Sequence, residues 1–167
     1  LTFRHEEFEA YKAQREKTPE DIKLAVPIIK EIVEAYNIEI LQVDGYEADD
    51  VVGTIAKRVN KDEFDVYMMT SDKDYAQLVE EHIFIYKPRL GKSDVEILND
   101  KSVMKKYNLT HPAQIIDMLG LMGDASDNIP GCPGVGPKTA EKLLQEFGSI
   151  ENLLENTDSL KGAVKKN

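Results

Sequence analysis

A chain of 167 residues, 41% hydrophobic and 31% charged, can bury one core, or one domain with a small appendage. It holds no apolar run of membrane-spanning length and no visible secretory leader, so no membrane partner is expected. The single Cys132 excludes an internal disulfide and fits a reducing, cytoplasmic setting, and the net charge of −10 argues at first sight against nucleic acid.

The chain opens at Leu1 rather than Met, directly in a polar helical segment, and reads like the middle of a protein. Residues 5 to 17 are charged and helical in pattern, with Phe8, Tyr11 and Arg15 on related faces. Thr18-Pro19-Glu20-Asp21 is a helix start, with a cap, a proline at the first position and acids near the positive end of the dipole. That helix is expected to run to about Tyr36 on Ile28, Ile29, Ile32 and Val33, with Pro27 placed to kink it. Ile38 to Val43 reads as a short strand. Ala48 to Val59 follows as a helix, then a strand at Val66 to Met69, a short helix at Ala76 to Val79 and a strand at Ile83 to Tyr86. A further strand, Val95 to Leu98, is expected across the turn Leu90-Gly91-Lys92-Ser93. Strand–helix–strand alternation implies a largely parallel sheet with helices on its faces. After about Asp100 the pattern is all helical, over 100–107, 112–122, 137–147 and 149–155, with a Gly/Pro-rich break from Gly123 to Gly136.

Seven carboxylates fall in three tight clusters: Glu47, Asp49 and Asp50; Asp72 and Asp74; Asp124 and Asp127. Each cluster stands where an apolar segment stops and a helical pattern can start. Read singly, the first two are helix caps and the third an Asx-turn. Read together, two successive strands deliver acids to the edge where open α/β sheets bind ligands, and capping does not need so many. Crowded carboxylates demand protonation or a cation, and all-oxygen donors select hard ions such as Mg²⁺ or Mn²⁺. Two such ions about 3.5–4 Å apart activate a water and stabilise the leaving oxygen of a phosphodiester. Removing the seven clustered charges leaves −3 (−10 + 7), which weakens the objection to a nucleic-acid substrate. No Ser or His nucleophile is evident, and His111 before Pro112 reads as structural.

The run Pro130-Gly131-Cys132-Pro133-Gly134-Val135-Gly136-Pro137-Lys138-Thr139-Ala140 is a helix–hairpin–helix pattern. Gly134 and Gly136 permit positive φ and close approach. Pro137 starts a helix whose exposed amides, with Lys138 beside them, can hold a backbone phosphate. It is not a nucleotide P-loop, because Pro137 stands where the lysine would be needed. Near the start, Arg4, Lys12 and Arg15 lie among Phe3, Phe8 and Tyr11. The bland reading is a solvated charged helix; the sharper one is a phosphate clamp with Tyr11 and Arg15 on one face and Tyr11 stacking on a base.

These runs resemble the 5′-nuclease domains of bacterial DNA polymerase I, within the flap endonuclease superfamily. The resemblance lies in Thr2-Phe3-Arg4-His5-Glu6, Tyr11-Lys12-Ala13-Gln14-Arg15, Glu47-Ala48-Asp49-Asp50 and Ser71-Asp72-Lys73-Asp74. It continues in Leu121-Met122-Gly123-Asp124, Asp127-Asn128-Ile129-Pro130-Gly131 and Gly134 to Ala140, in family order over nearly the whole chain. It implies an α/β fold, a Rossmann-like (PIN/resolvase-like), mostly parallel sheet lacking its first strands, over residues 1–108. An all-helical helix–hairpin–helix subdomain over 109–167 is implied to follow. It implies a two-metal nuclease of a bacterial, nucleoid-associated polymerase, cutting DNA with a 5′ flap or nick and RNA-primer/DNA hybrids, with polymerase domains in the same parent chain. Glu47, Asp49 and Asp50, with Asp72 bridging or nearby, would serve the tighter Mg²⁺ or Mn²⁺ site, and Asp74, Asp124 and Asp127 the second. Arg4, Tyr11, Lys12 and Arg15 match substrate-handling residues, Lys12 and Arg15 among those that act in the reaction. Gly134, Gly136, Lys138 and Thr139 match the duplex grip, which often holds K⁺. The family also has a first strand ending in a metal-binding Asp, and another Asp before the Thr-Phe-Arg run; both would lie upstream of Leu1. The alternative is therefore a catalytically incomplete unit that binds duplex DNA without cutting it; a PIN-like ribonuclease is disfavoured by the hairpin and the Tyr-Lys-Ala-Gln-Arg segment.

Overall fold

A computed structural model describes residues 1–88 and 94–160. The expected turn at 90–93 lies outside the described residues. Helix α1 spans Phe3–Glu7 and stops early, because Phe8 is extended (φ −140°) and Lys12 adopts a left-handed φ of +54°. The expected helix over 5–17 is therefore replaced by turns, and Tyr11 and Arg15 do not share a helical face.

Helix α2 (Glu20–Ala35) runs past Pro27 unbroken and ends at Tyr36. Its start differs from expectation: Pro19 itself occupies the cap position, and no side chain caps the helix. None of its residues is buried; Ile28, Ile29 and Ile32 all stand more than half exposed. The strand expected at Ile38–Val43 does not form either. A strand exists only where a neighbour completes its backbone hydrogen bonds, and among the described residues this segment has no such neighbour.

Helix α3 (Ala48–Arg58) is capped by Glu47 and leads to β1 (Val66–Met69). A 3-10 turn, Asp74–Leu78, connects β1 to β2 (Ile83–Pro88), which continues by β3 (Val95–Leu98). The sheet has order β1-β2-β3. The β1–β2 pair is parallel, with Val66 opposite Ile83, and the β2–β3 pair antiparallel, with Ile85 opposite Leu98. The sheet is thus small and mixed, and β1 is an edge strand.

Helices α4 (Asp100–Tyr107), α5 (Gln114–Met122), α6 (Pro137–Phe147) and α7 (Ile150–Glu155) form the helical part. Pro137 at the first position of α6 and Gly148 at its end explain why its bounds are those the sequence suggests. Asn99 and Ser149 cap α4 and α7 by accepting the amides of Ser102 and Asn152. Between α5 and α6 lies a miniature antiparallel pair, β4 (Gly123–Asp124) with β5 (Ile129–Pro130). Gly123 has φ +73°, and a Cβ there would lie 2.3 Å from the Gly131 nitrogen, so only glycine allows this crossing. One buried cluster runs from the sheet (Met68, Ile83, Ile85) through Val103 and Ile115 to Leu143, Leu144 and Leu153.

Candidate functional site

Three chain regions deliver carboxylates to one place. Glu47 and Asp49 come from the start of α3, Asp72 and Asp74 from the turn after β1, and Asp127 from the β4–β5 hairpin. Together with Lys12, Arg15 and Ser126 they line an open cavity of about 320 Å³. Asp50 and Asp124 stand apart from it. On a helix, neighbours point about 100° apart, so Asp49 turns to Tyr75 while Asp50 turns to Arg4. Asp50 joins Glu47, Asp49, Asp74 and Asp127 in lining an adjoining cavity of about 660 Å³, and both of its oxygens accept from Arg4 at 2.7 Å. Asp124 is buried below the hairpin. Its Oδ1 accepts the Ser126 amide at 2.8 Å, and its Oδ2 has Lys73 Nζ at 2.9 Å.

The cavity carboxylates are held by internal cations and phenols. Lys12 Nζ donates to Glu47 Oε2 at 2.7 Å and stands 3.6 Å from Asp127 Oδ2. Arg15 donates to Asp127 Oδ1 at 2.6 Å. The Tyr11 hydroxyl faces both Glu47 Oε2 (3.0 Å) and Asp127 Oδ2 (3.2 Å). Tyr75 donates to Asp49 Oδ1 at 2.9 Å. The base-stacking role expected of Tyr11 is not realised: its side chain is 5% exposed, and the ring meets His5 edge-on. The capping reading is realised alongside the site, since Glu47 and Asp50 form a reciprocal capping box at the start of α3.

These contacts set the charges. Burial would raise the Glu47 carboxyl, but the hydrogen bonds from Lys12 and Tyr11 hold it below its ordinary value. Arg4 holds Asp50 low. Burial works against Asp124 too, yet the Ser126 hydroxyl and Lys73 bring it to about 2. Asp74 goes the other way: burial and then the Asp72 charge push it up to about 6, and its Oδ1 is buried with no hydrogen-bond partner. The anionic side chains that line the cavity with Asp74 offer only oxygen donors, which suits a hard divalent cation. The fit is one of chemistry and not of a finished cage. Among the described residues, no three His, Cys, Asp or Glu side chains are gathered closely enough to hold an ion. In this state Lys12 and Arg15 supply the positive charge.

Gly134 has the expected positive φ (+77°), while Gly136 does not: at φ −99° it caps α6, and a Cβ there would meet open space. Lys138 and Thr139 sit in the first turn of α6; with Gly134 and Gly136 they lie outside the carboxylate cavity. The sequence reading gave no role to Tyr75, Lys73 or Ser126. Lys73 was visible between Asp72 and Asp74. Tyr75 carried no signal, since a tyrosine after an acidic turn is ordinarily core. His111 is structural, its Nδ1 accepting the Ala113 amide at 3.1 Å.

An α/β unit with acids at the carboxyl end of its sheet, joined to a helical unit with a glycine hairpin, defines a class of nucleic-acid-processing domain. The family described as 5′-3′ exonuclease, N-terminal resolvase-like domain matches residues 1–108, and 5′-3′ exonuclease, C-terminal SAM fold matches residues 110–167. The chain belongs to this 5′-3′ exonuclease family. It is 50% identical to DNA polymerase I of Bacillus subtilis over 165 residues, covering 99% of this chain and 19% of that protein. It is 44% identical to the thermostable DNA polymerase I of Thermus thermophilus, covering 96% of this chain and 18% of that protein. The chain therefore spans about a fifth of the curated relatives it matches (19% and 18%). Its fold is like that of the T5 D15 protein co-crystallized with metal ions, with TM-score 0.76, 22% identity, and 98% of this chain and 64% of that one covered. It is also like the catalytic core of Rad2 in complex with DNA substrate, with TM-score 0.56, 18% identity, and 99% and 51% covered.

Proposed function

We propose that the chain is the nuclease part of a DNA polymerase I, hydrolysing phosphodiesters at 5′ flaps and nicks and in RNA-primer/DNA hybrids. The observation that carries this is the cavity lined by five carboxylates from three separate chain regions, with Asp74 Oδ1 unpartnered beside it. Glu47, Asp49, Asp72, Asp74 and Asp127 would hold divalent cations, Mg²⁺ or Mn²⁺, which supply Lewis-acid charge and an activated water when bound. Lys12 and Arg15 would then exchange their carboxylate partners for substrate phosphate. The Gly134–Thr139 turn would grip the duplex through the first amides of α6, and a K⁺ ion there would be held by carbonyl oxygens of the turn and not by those amides. Polymerase domains of the same parent chain are the expected neighbours, and a bacterial cytoplasm the expected setting.

A second reading has its own support. Lys12 and Arg15 already offset part of the carboxylate charge, Tyr11 donates to Glu47, and no finished cation cage stands among the described residues. On that reading the chain grips duplex DNA without cutting it. A 5′-labelled flap duplex incubated with Mg²⁺ or Mn²⁺, beside an EDTA control and a binding assay, separates the two. Cutting that needs the metal supports the nuclease. Binding that persists in EDTA with no cutting under any metal supports the binding module.

A further inference from the structure

A second, small cavity shares Asp72 with the carboxylate cavity and has the opposite character. Thr70, Ser71, Lys73, Lys87 and Lys106 line it beside the buried Ala76, Ile85 and Leu98, and its volume of about 40 Å³ is too small for a nucleoside. The three lysines come from three elements: the turn after β1, the end of β2 and the last turn of α4. On a chain of net charge −10, three lysines beside one lining carboxylate are a local concentration of positive charge.

Lysines from three elements around one small cavity give a site where an anion is favoured. The anions in view answer only part of that. Asp124 pairs with Lys73, and Asp72 turns its Oδ1 to the Asp74 amide at 3.0 Å. Glu96 stands opposite Lys87 across the β2–β3 register. Neither Lys87 nor Lys106 forms a salt bridge among the described residues. Lys106 Nζ lies 5.2 Å over the Tyr107 ring, and Tyr107 lines the same cavity. Thr70 Oγ1 accepts the Asp72 amide at 3.0 Å, which leaves its own proton to donate. Hydroxyl donors beside ammonium groups around a small opening fit a tetrahedral oxyanion.

We propose that Lys87 and Lys106, with the hydroxyls of Thr70 and Ser71, form a second phosphate subsite that takes a nucleic-acid backbone phosphate near the scissile one. The proposal rests on the nuclease reading for its ligand. Asp72 lines both cavities, so the subsite adjoins the carboxylates.

The test is duplex binding by fluorescence anisotropy over a range of salt, for the full chain, for the double variant Lys87→Gln/Lys106→Gln and for Lys30→Gln as a remote charge control. A parallel NMR titration with inorganic phosphate, at constant ionic strength, follows the amides of Thr70, Ser71 and Lys87. The subsite predicts that the slope of log Kd against log salt falls by about 1 in the double variant, and by much less in the control. It also predicts phosphate-induced shifts at those amides that the double variant loses. A chain that binds duplex with the same slope in the double variant and the control overturns the subsite and leaves the nuclease reading standing. If the unaltered chain binds no duplex, that reading fails, and the phosphate titration alone decides whether an oxyanion site exists. No shift at the three amides then overturns it.

Discussion

The helical part and the leading α/β part of this chain bury themselves to very different degrees. From Ile115 to Leu153, α5, α6 and α7 turn Ile115, Leu121, Leu143, Leu144 and Leu153 into one interior. Before α3, by contrast, Tyr11 is the one fully buried hydrophobic side chain among the described residues, and α2 contributes none. Both regions have amphipathic patterning, so patterning alone does not produce a core. A second apolar face must be there to meet the first.

The largest effect expected from that contrast is on stability. Leu144→Ala, at a site 2% exposed, should lower unfolding free energy by about 2–5 kcal/mol, whereas Ile29→Ala, at 55% exposed, should stay within about 0.5 kcal/mol. Urea denaturation of both variants checks this, and a comparable loss from Ile29→Ala would break the contrast. Next comes the region that is weak in core but rich in charge. Asp74→Asn should weaken Mn²⁺ binding at least tenfold by calorimetry, while Lys12→Ala should strengthen it by removing the internal cation beside Glu47. A smaller effect belongs to the well-packed region: Gly134→Val, at φ +77°, should weaken duplex affinity severalfold by anisotropy, because a β-branched residue cannot hold that turn.

The smallest effect is a pH dependence within the helical core. Burial, and then the Glu151 charge, raise the Asp117 carboxyl above its ordinary value. A group raised in the folded state favours folding below its unfolded value, near pH 4, and that contribution is lost as pH rises through the folded value. Asp117→Asn should therefore raise the melting temperature slightly at pH 7 and leave it unchanged at pH 3. Equal shifts at both pH values would place the effect in packing and not in charge.

Legibility in the sequence followed the range of the interactions involved. The bounds of α6 were readable because Pro137 and Gly148 act within a turn of themselves. Ile38–Val43 has the composition of a strand, but a strand is a relation between two segments, and composition does not supply the second. Tyr11 and Arg15 were spaced for a helical face; the left-handed φ at Lys12, whose amide donates to the Asp127 carbonyl at 2.9 Å, broke that spacing. The acidic clusters were legible as groups, yet which member faces the cavity was not. That choice depends on helix phase for Asp49 against Asp50, and on the close Gly123–Gly131 crossing for Asp124 against Asp127.

The Tyr11 hydroxyl joins residues 36 and 116 positions away along the chain. During synthesis the amino-terminal segment would leave the ribosome long before Asp127 exists. Until then Tyr11, Lys12 and Arg15 lack the hairpin that fixes them, and the site cannot be assembled early. The order of emergence thus makes the acidic cavity wait for the β4–β5 hairpin, and a chain arrested before residue 127 would carry most of its carboxylates without the geometry that collects them.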